Sequence, residues 1–426
     1  MIDIRRIEEN PAKVQELLKN KLYDVDFSEL LEKNKRKKAL ISEVENNKAE
    51  QNKLSKAVPH WKKEGKDVNE LFAKVKALAA DIKDKENELQ ELEKWVFDFL
   101  KVLPNLPDED LLPGGKENNV PIYTHKDVPT FDFPIKDHVE LEESLGLIDY
   151  ERAAKISGRG TWIYTGLGAM LEWALINYFI SEHIKDGYTF ILPPHLLNYE
   201  SGFTAGQFPK FENDVFFLND MEPRRFLLPT AETALVNLHR NEILPNNKLP
   251  LRYFAYTPCY RMEAGSYRTE ERGTIRGYQF DKVEMVAYTK ENESDAMFDE
   301  LVNKARRLCE GLGLHFQISK LAAGDCSASM ARTYDIEVWI PSMGIYKECS
   351  SVSNSRDYQA RRGMMRYKDE NGKTKYLHTL NGSGLATSRL IPAILEQHQQ
   401  ADGSVIIPEV LRPFMGGLEK ISPIKK

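Results

Sequence analysis

The sequence predicts an α+β protein, in which an N-terminal antiparallel α-helical coiled-coil arm precedes a domain on a mainly antiparallel β-sheet flanked by helices. Three observations lead to this prediction. Apolar residues repeat with a heptad period through residues 71–103, as in a coiled coil. A segment rich in proline, glycine and acidic residues follows at 103–119. Beyond it, strand-like runs succeed one another without a helix between each pair, which favours an antiparallel sheet over a doubly wound one.

The apolar seam of the second arm helix advances in alternating steps of four and three residues. Its positions are Leu71, Val75, Leu78, Ile82, Lys85, Leu89, Leu92, Val96, Phe99 and Leu103. Residues 27–58 form the first arm helix, whose weaker seam is interrupted by Asn47 and Gln51. Its apolar points are Leu30, Ile41, Val44 and Leu54. PHWKKEGKD at 59–67 predicts the turn between the helices, so the hairpin should project about 45 Å.

Basic residues are concentrated on the first arm helix and on the turn. They are Lys33, Lys35, Arg36, Lys37, Lys38, Lys53, Lys56, Lys62, Lys63 and Lys66. Such a surface suits contact with phosphates and would make the arm a lever that reaches a distant part of a large ligand. An oligomerisation coiled coil or a solvated helical face would carry the same charges. The segment alone leaves these alternatives open.

Changes in composition divide the chain into three predicted parts. They are an N-terminal domain at 1–103, a linker at 104–121 and a C-terminal domain at 122–426. Pro104 and Pro107 end the arm helix at the linker. In the last part, helices are predicted at 167–185, 291–312 and 384–399, the third after a Gly-Ser-Gly turn. Strands are predicted at 190–192, 251–256, 278–288, 334–340 and 345–351.

The composition argues against several classes of protein. The chain has 426 residues, a net charge of −6 and no apolar stretch near the roughly 20 residues that a membrane helix needs. The first ten residues, MIDIRRIEEN, are not followed by the apolar run of a signal peptide. Four cysteines are scattered without a CxxC pair, which argues against a disulfide framework and a cysteine-based zinc site. We therefore expect a cytoplasmic protein without membrane contact.

The strongest candidate site is the stretch 257–285. Two apolar strands flank a charged loop, and Arg261 and Arg276 lie at its feet. The charged loop residues are Arg268, Glu270, Glu271 and Arg272. Arginines at the base of a hairpin can present planar forks to phosphate oxygens, although a surface hairpin with ordinary ion pairs has the same composition.

Three weaker clusters are LLPTAET at 227–233, KECSSVSN at 347–354 and LNGSGLATSR at 380–389. Each alone is unspecific, because serine clusters commonly satisfy their own backbone. Gly372–Lys373–Thr374 looks like the end of a phosphate loop, but Tyr367 stands where the first glycine belongs, so we exclude that motif.

Taken in this order, the segments resemble the class II aminoacyl-tRNA synthetases, and specifically the seryl-tRNA synthetase family of the bacterial type. LLPTAE, YRMEAG, YQFDKVEM, TYDIEVWIP, KECSSVSN, HTLNGSGLA and IPEVLRPFMGG are similar to the family's signatures. The resemblance covers nearly the whole chain and implies a class II synthetase catalytic domain after a tRNA-binding arm. The chain departs from the pattern at Met262, where bacterial members usually have serine, at Tyr278, where they usually have histidine, and at 326–330.

The resemblance also implies an ATP site. The family's motif 1, a dimer element, corresponds to the helix at 167–185 and a strand ending at Pro194. In motif 2, Arg261 contacts the α-phosphate, Glu263 the adenine amino group, and Phe280 stacks on adenine. In motif 3, which opens at Gly384, Arg389 closes over adenine and the γ-phosphate. The implied ATP set is Arg261, Met262, Glu263, Phe280, Glu348, Cys349, Ser350, Ser351 and Arg389.

The remaining implied residues concern catalysis, Mg²⁺ and serine. The catalytic residues are Arg261, Glu348 and Arg389, and the oxygens of Glu348 and Ser351 would reach Mg²⁺ on ATP. The L-serine pocket carries over as Thr230, Ala231, Glu232, Arg261, Glu284 and Ser383. Glu284 is the first candidate for both the ammonium and the hydroxyl contact, because an ammonium needs carboxylate partners. A polar pocket would reject alanine, whose methyl leaves the pocket's groups unpaired.

The implied activity is serine–tRNA ligation by a homodimer. L-Serine would react with ATP to give seryl-adenylate and pyrophosphate, and serine would then pass to the 3′ end of tRNA(Ser), with tRNA(Sec) as a further candidate. A ligase that loads a carrier protein would share the ATP chemistry but lack the arm. A coiled-coil scaffold with an inactive synthetase domain would have broken motifs, whereas Arg261, Glu263, Glu284 and Arg389 are present. The archaeal zinc-dependent type would need a cysteine-containing metal site.

Overall fold

A computed structural model describes residues 1–262 and 273–424. The chain forms two compact units. The arm unit contains Ile2–Glu16 and Asp24–Leu103. The sheet unit contains Met1, Leu17–Tyr23 and Pro104–Lys426.

Two long helices form the arm. The helices of the N-terminal part are α1 (Ile4–Glu9), α2 (Pro11–Asn20), α3 (Ser28–Lys63) and α4 (Asn69–Val102). The pairs across the arm, in order along α3, are Lys33 with Trp95, Arg36 with Glu88, and Asn47 with Asp81. Partner numbers fall on α4 as they rise on α3, which confirms the predicted antiparallel hairpin. The buried positions are Leu30, Asn34, Leu40 and Val44 on α3, and Leu71, Ile82, Val96 and Leu100 on α4.

The predicted turn at 59–67 is wrong in its start, because α3 continues through Pro59 to Lys63. The helix instead ends before Gly65, whose φ of 69° is the left-handed conformation that commonly follows a helix. The Glu64 N–H still bonds the His60 carbonyl, so the helical hydrogen bonding extends past the proline. The helix therefore continues past the proline, and the glycine determines where it ends.

The sheet unit contains eight further helices and sixteen strands within the described residues. The helices are α5 (His138–Ser144), α6 (Tyr150–Ser157), α7 (Leu167–Lys185), α8 (Tyr199–Thr204), α9 (Ala231–Leu235), α10 (Ser294–Gly311), α11 (Tyr358–Arg362) and α12 (Thr387–Gln397). The strands are β1 (Val120–His125), β2 (Thr189–Ile191), β3 (Leu196–Asn198), β4 (Phe217–Leu218), β5 (Arg225–Leu227), β6 (Ile243–Pro245), β7 (Leu251–Tyr260), β8 (Gln279–Thr289), β9 (Phe316–Lys320), β10 (Arg332–Ile340), β11 (Ile345–Asn354), β12 (Arg366–Lys368), β13 (Thr374–Tyr376), β14 (His378–Ala386), β15 (Val405–Ile406) and β16 (Lys420–Ile421).

The main sheet has eight strands in the order β1-β9-β10-β11-β14-β8-β7-β2. Its neighbouring strands run antiparallel except for β2 and β7, which are parallel. This confirms the predicted α+β class with a mainly antiparallel sheet. Across the described ranges, we find no helix whose length and hydropathy would let it span a membrane.

Strand β8 shows how the sheet separates its core from its polar face. Val283, Met285 and Ala287 are buried in the main core with side chains of α7, α10 and α12. Because side chains alternate along a strand, Lys282 and Glu284 point to the opposite face. That face is apolar further along the strand, where Val286 and Tyr288 join a second core cluster with α9. The polar end of this face carries the site described below.

The predicted helix at 384–399 is wrong at its start. The Gly-Ser-Gly sequence lies inside β14, where Gly382 pairs with Met285 of β8 and Val352 of β11. A central strand satisfies its backbone groups through these ladders, which overrides the turn preference of the glycines. Helix α12 begins only at Thr387, so Arg389 lies in its first turn, whereas the predicted start at Gly384 would place it in the second.

The predicted helix at 167–185 is confirmed with the same bounds. The strand that follows it ends at Ile191, not at Pro194. Pro193 and Pro194 have no N–H to donate to a neighbouring strand, which explains the earlier end.

Candidate active site

A cavity of about 380 Å³ lies over the polar face of the main sheet. The predicted site residues that line it are Thr230, Glu232, Arg261, Phe280, Glu284, Glu348, Cys349, Ser351, Ser383 and Arg389. Arg261 follows β7, Glu284 lies on β8, and Arg389 belongs to α12. Three segments that are distant in sequence therefore contribute charged groups to one cavity.

The two arginines are held by contacts with neighbouring segments. The Arg261 Nε donates to the Pro229 carbonyl at 3.1 Å, and its guanidinium lies 5.2 Å from the centre of the Phe280 ring. The Arg389 Nη1 donates to the Glu348 carbonyl at 2.7 Å and lies 3.5 Å from the Glu348 carboxylate. An aromatic ring beside one guanidinium and a second guanidinium in the same cavity could bind a planar base and its phosphates.

A buried polar cluster occupies the floor of the cavity. Thr230 caps the N-terminus of α9, and its hydroxyl oxygen accepts from the Lys282 Nζ at 2.7 Å. The Lys282 ammonium also contacts the Glu284 carboxylate. Ser383 pairs with Glu284 across β14 and β8, and its hydroxyl donates to the Glu284 Oε2 at 3.3 Å. This cluster could bind a ligand that carries an ammonium and a hydroxyl.

Glu232 is the second carboxylate of this cluster. Burial, and then the nearby Glu284 carboxylate, raise the pKa of Glu232 to about 7. The Gln359 Nε2 of α11 donates to the Glu232 Oε1 at 2.8 Å, and the Thr379 hydroxyl donates to the Gln359 Oε1 at 2.7 Å. Glu232 is therefore held in one orientation and can change its charge near neutral pH.

A second group of acids lies beside Glu348. A cavity of about 360 Å³ is lined by Glu348, Ser351, Asp335 and Glu337, among others. Burial, and then the Glu348 charge, hold the pKa of Asp335 well above its usual value. The Asp335 Oδ1 has no hydrogen-bond partner among the described residues. This arrangement of oxygens favours a cation.

Some predicted site residues lie elsewhere. Within residues 1–262 and 273–424, Ala231, Met262 and Ser350 are not part of the cavity wall. Ala231 is fully buried in the first turn of α9, Met262 is 46% exposed, and the Ser350 hydroxyl donates to the Ser383 carbonyl. Side chains of these three are therefore poor candidates for ligand contact. Glu263 and the four charged loop residues lie outside the described residues.

Sequence reasoning missed one cavity residue, Lys282, and one residue that holds a cavity side chain, Gln359. Lys282 could have been found from strand alternation, since it precedes Glu284 by two residues and must share its face. Gln359 had no local signal, because it reaches Glu232 only through the packing of α11. The divergent loop at 326–330 is held by Lys21, whose Nζ donates to the Ser327 carbonyl at 2.9 Å, and by Asn105, whose Nδ2 donates to the Ser329 carbonyl at 3.0 Å.

Comparisons with known proteins agree over the whole chain. A family model described as the seryl-tRNA synthetase N-terminal domain matches residues 1–107, and one described as the tRNA synthetase class II core domain (G, H, P, S and T) matches residues 214–398. A serine–tRNA ligase 2 of Clostridium acetobutylicum is 57% identical over 98% of this chain and 99% of its own. A serine–tRNA ligase of Caldicellulosiruptor bescii is 46% identical over the same shares.

Solved structures give the same result. The seryl-tRNA synthetase of Pyrococcus horikoshii complexed with ATP is 32% identical, with a TM-score of 0.94 over 100% of both chains. The cytoplasmic serine–tRNA ligase of Naegleria fowleri in complex with AMP is 25% identical, with a TM-score of 0.87 over 98% of this chain and 96% of that one. With this similarity in sequence and fold along its full length, the chain belongs to the seryl-tRNA synthetases, the serine–tRNA ligases of class II.

Proposed function

We propose that the chain activates L-serine with ATP to seryl-adenylate and pyrophosphate, and transfers the seryl group to the 3′ end of tRNA(Ser). The observation that carries the proposal is the single cavity shared by Arg261, Glu284 and Arg389. It combines guanidinium groups for a triphosphate with carboxylates for an ammonium. A serine zwitterion and ATP are the pair of ligands that this charge pattern fits best.

In the first step, an oxygen of the serine carboxylate attacks the α-phosphorus, and pyrophosphate leaves with the electron pair of the broken phosphoanhydride bond. The carboxylate is already a nucleophile at neutral pH, so no protein base is needed. Arg261 binds the α-phosphate, Phe280 packs on adenine, and Arg389 holds the γ-phosphate. Catalysis then consists of positioning and of stabilising the charge that develops on the phosphates.

The serine ammonium would lie between the Glu232 and Glu284 carboxylates, with the hydroxyls of Thr230 and Ser383 beside it. This floor is preorganised, because Lys282 and Gln359 hold the two carboxylates. In the second step, a hydroxyl of the terminal ribose of tRNA attacks the seryl carbonyl carbon and gives up its proton to the departing phosphate. AMP leaves with the electron pair of the broken acyl–phosphate bond, and the seryl ester of tRNA is the product.

Mg²⁺ would be held by the Glu348 carboxylate and the Ser351 hydroxyl. The residues fit such an ion: the raised pKa of Asp335, caused by burial and by Glu348, and its unpartnered oxygen show a surplus of acceptor oxygens within the described residues. Those residues contain no cluster of three or more His, Cys, Asp or Glu that could hold a metal, which suits an ion shared with ATP phosphates. When bound, the ion neutralises phosphate charge.

The arm would grip the tRNA. Lys56, Lys62 and Lys63 are exposed near the turn between α3 and α4, where a phosphate backbone could reach them. Arg36 and Lys38 lie further from the turn and are paired with Glu88 and Glu8. We place the main tRNA contact at the turn, for tRNA(Ser) and for tRNA(Sec) as a further substrate.

The chain would act as a homodimer. Large apolar side chains are exposed on α7 and near β2, namely Met170, Trp173, Ile184, Phe190 and Leu192. Monomeric proteins rarely expose so many apolar groups on adjacent elements, and a second copy would bury them. The four cysteines are free and buried, which suits the reducing cytoplasm that we propose as the compartment.

The direct test is pyrophosphate exchange with a panel of amino acids. Serine should support exchange at least about a hundredfold better than alanine, because alanine leaves the pocket's polar groups unpaired. Exchange with another amino acid in preference to serine would refute the assignment. Charging of tRNA(Ser) and tRNA(Sec) transcripts by the same preparation would test the second step and the range of tRNA substrates.

A further inference from the structure

Lys282 is a buried cation at the floor of the cavity, and no step of the reaction described above uses it directly. Its side chain is only 8% exposed and that of Glu284 only 3%. The ammonium contacts Glu284 on the same strand and donates to the Thr230 hydroxyl at 2.7 Å. A lysine is rarely buried to this extent unless its charge has a purpose or a partner.

The surroundings explain why a cation is needed there. Two carboxylates, Glu232 and Glu284, would otherwise lie together in a poorly solvated pocket, where each disfavours ionisation of the other. Burial and Glu284 raise the pKa of Glu232, whereas the Lys282 charge lowers it. From β7, the neutral Cys259 thiol also faces this group, its pKa raised by burial. Arg261 is a further cation of the cavity wall.

We propose that Lys282 is the positioning residue of the amino-acid pocket, which fixes the Glu284 carboxylate and the Thr230 hydroxyl and favours the ionised form of the neighbouring Glu232 that receives the serine ammonium. This inference rests on the proposed function. Without the Lys282 charge, Glu232 would ionise only at a higher pH, and at neutral pH one of the two carboxylate partners of the substrate ammonium would be mostly protonated. Serine would then bind well only at a higher pH.

A purely structural ion pair makes different predictions. A buried pair is a weak device for stability, and its removal would lower the melting temperature without a specific effect on serine. Lys304 provides the matched control, because it is similarly buried and its Nζ lies 2.6 Å from Asp186, outside the cavity wall. Lys304→Met should therefore reproduce the loss of a buried lysine without changing the amino-acid pocket.

The experiment measures serine-dependent pyrophosphate exchange of the full chain between about pH 5.5 and pH 9. This range lies between the ordinary pKa values of carboxyl and side-chain amine groups. Lys282→Met should raise the KM for serine about 10- to 100-fold, because a charged hydrogen-bonding partner is lost. The KM for ATP should change less than about twofold, since the nucleotide contacts are untouched. The acidic limb of kcat/KM for serine should move up by about one pH unit.

The double variant Lys282→Met/Glu284→Gln removes the cation and one carboxylate together. Its acidic limb should return to the wild-type position or below, because Glu232 no longer has a charged neighbour, while the KM for serine stays high. This variant removes both members of the Lys282–Glu284 pair, so neither is left buried without the other, and the proposal stays testable if Lys282→Met alone fails to fold. Lys304→Met should leave both the KM for serine and the acidic limb unchanged.

Two results would overturn the proposal. One is a folded Lys282→Met protein with an unshifted acidic limb and a KM for serine within about twofold of the wild type, which the loss of a charged hydrogen bond does not allow. The other is a double variant whose acidic limb moves above that of the wild type. Failure of the wild-type protein to exchange with serine would instead refute the proposed function, so the two failures are distinguishable.

Discussion

In the arm, Arg36 forms a bidentate ion pair with Glu88 of the facing helix, and both side chains remain 44% exposed. On the sheet, Lys282 contacts Glu284, and the two side chains are only 8% and 3% exposed. Water screens the first pair, so its loss should matter little. The second pair lies in a medium of low polarity, where removing one partner leaves an uncompensated charge. We therefore expect the exposed pair to contribute little to the arm, and the buried pair to affect recognition of the amino acid.

This contrast predicts which changes affect which reaction. Changes on the sheet should act on both serine activation and tRNA charging, because charging needs the adenylate. Changes in the arm should act on charging alone.

Arg261→Ala should have the largest effect. If Arg261 binds the α-phosphate as proposed, loss of its guanidinium should lower serine-dependent pyrophosphate exchange by about a hundredfold to a thousandfold or more. The control is Arg152→Ala, which removes an exposed arginine paired with Asp149. Exchange retained by Arg261→Ala, or lost equally in the control, would contradict the role of Arg261.

Truncating the arm should separate the two reactions. Lys48 and Glu86 lie 2.6 Å apart across the hairpin, so residues 49–85 can be replaced by a short glycine-serine turn without changing the root of the arm. Pyrophosphate exchange should stay within about twofold, whereas tRNA charging should fall about a hundredfold, because the phosphate contacts are lost. Parallel loss of both activities would show that the arm has no separate function.

The triple variant Lys56→Ala/Lys62→Ala/Lys63→Ala tests the same region without changing its length. Charging should weaken, and the dependence of the KM for tRNA on salt should become shallower, because fewer counterions are released. An unchanged salt dependence would place the tRNA contact elsewhere on the arm.

The pH dependence of serine use should follow Glu232. The pKa of Glu232 is raised to about 7, and an ammonium binds the ionised carboxylate. Affinity for serine is therefore fully present above this pKa and is lost as the pH falls through it. kcat/KM for serine should drop about tenfold between pH 8 and pH 6. Glu232→Gln should remove this acidic limb, and a limb that persists in that variant would assign the titration to another group.

The smallest effect should come from the exposed pair in the arm. Arg36→Ala should lower the melting temperature by no more than about 2 °C, since screened surface pairs contribute little. Exchange should be unchanged. A large loss of stability, measured by thermal unfolding against the wild type, would show that water does not screen the exposed Arg36–Glu88 pair.

The sequence patterns predicted the fold wherever local signals and long-range packing agree. The heptad seam around Leu71 and Ile82 and the apolar helix α7 are of this kind. The Gly-Ser-Gly segment was mispredicted because two neighbouring strands satisfy its backbone. The turn was predicted to begin at Pro59, but the loss of one backbone N–H did not end the helix. The helix ends just before Gly65 instead.

The site was less predictable than the fold. Motif spacing and the family resemblance predicted Arg261, Glu284 and Arg389. The tertiary packing, which they do not record, determines which other residues line the cavity. Ser350 lies in a serine-rich segment directly after Cys349, but its hydroxyl donates a hydrogen bond to the Ser383 carbonyl and does not line the cavity. Such contacts depend on strand register, which no local pattern records.

The most direct test is a crystal structure of the protein with a non-hydrolysable seryl-adenylate analogue. The group that replaces the α-phosphate should lie within about 3 Å of the Arg261 guanidinium, and the seryl ammonium within about 3 Å of the Glu284 or Glu232 carboxylate. An analogue bound away from this cavity, or one whose ammonium faces neither carboxylate, would contradict this prediction.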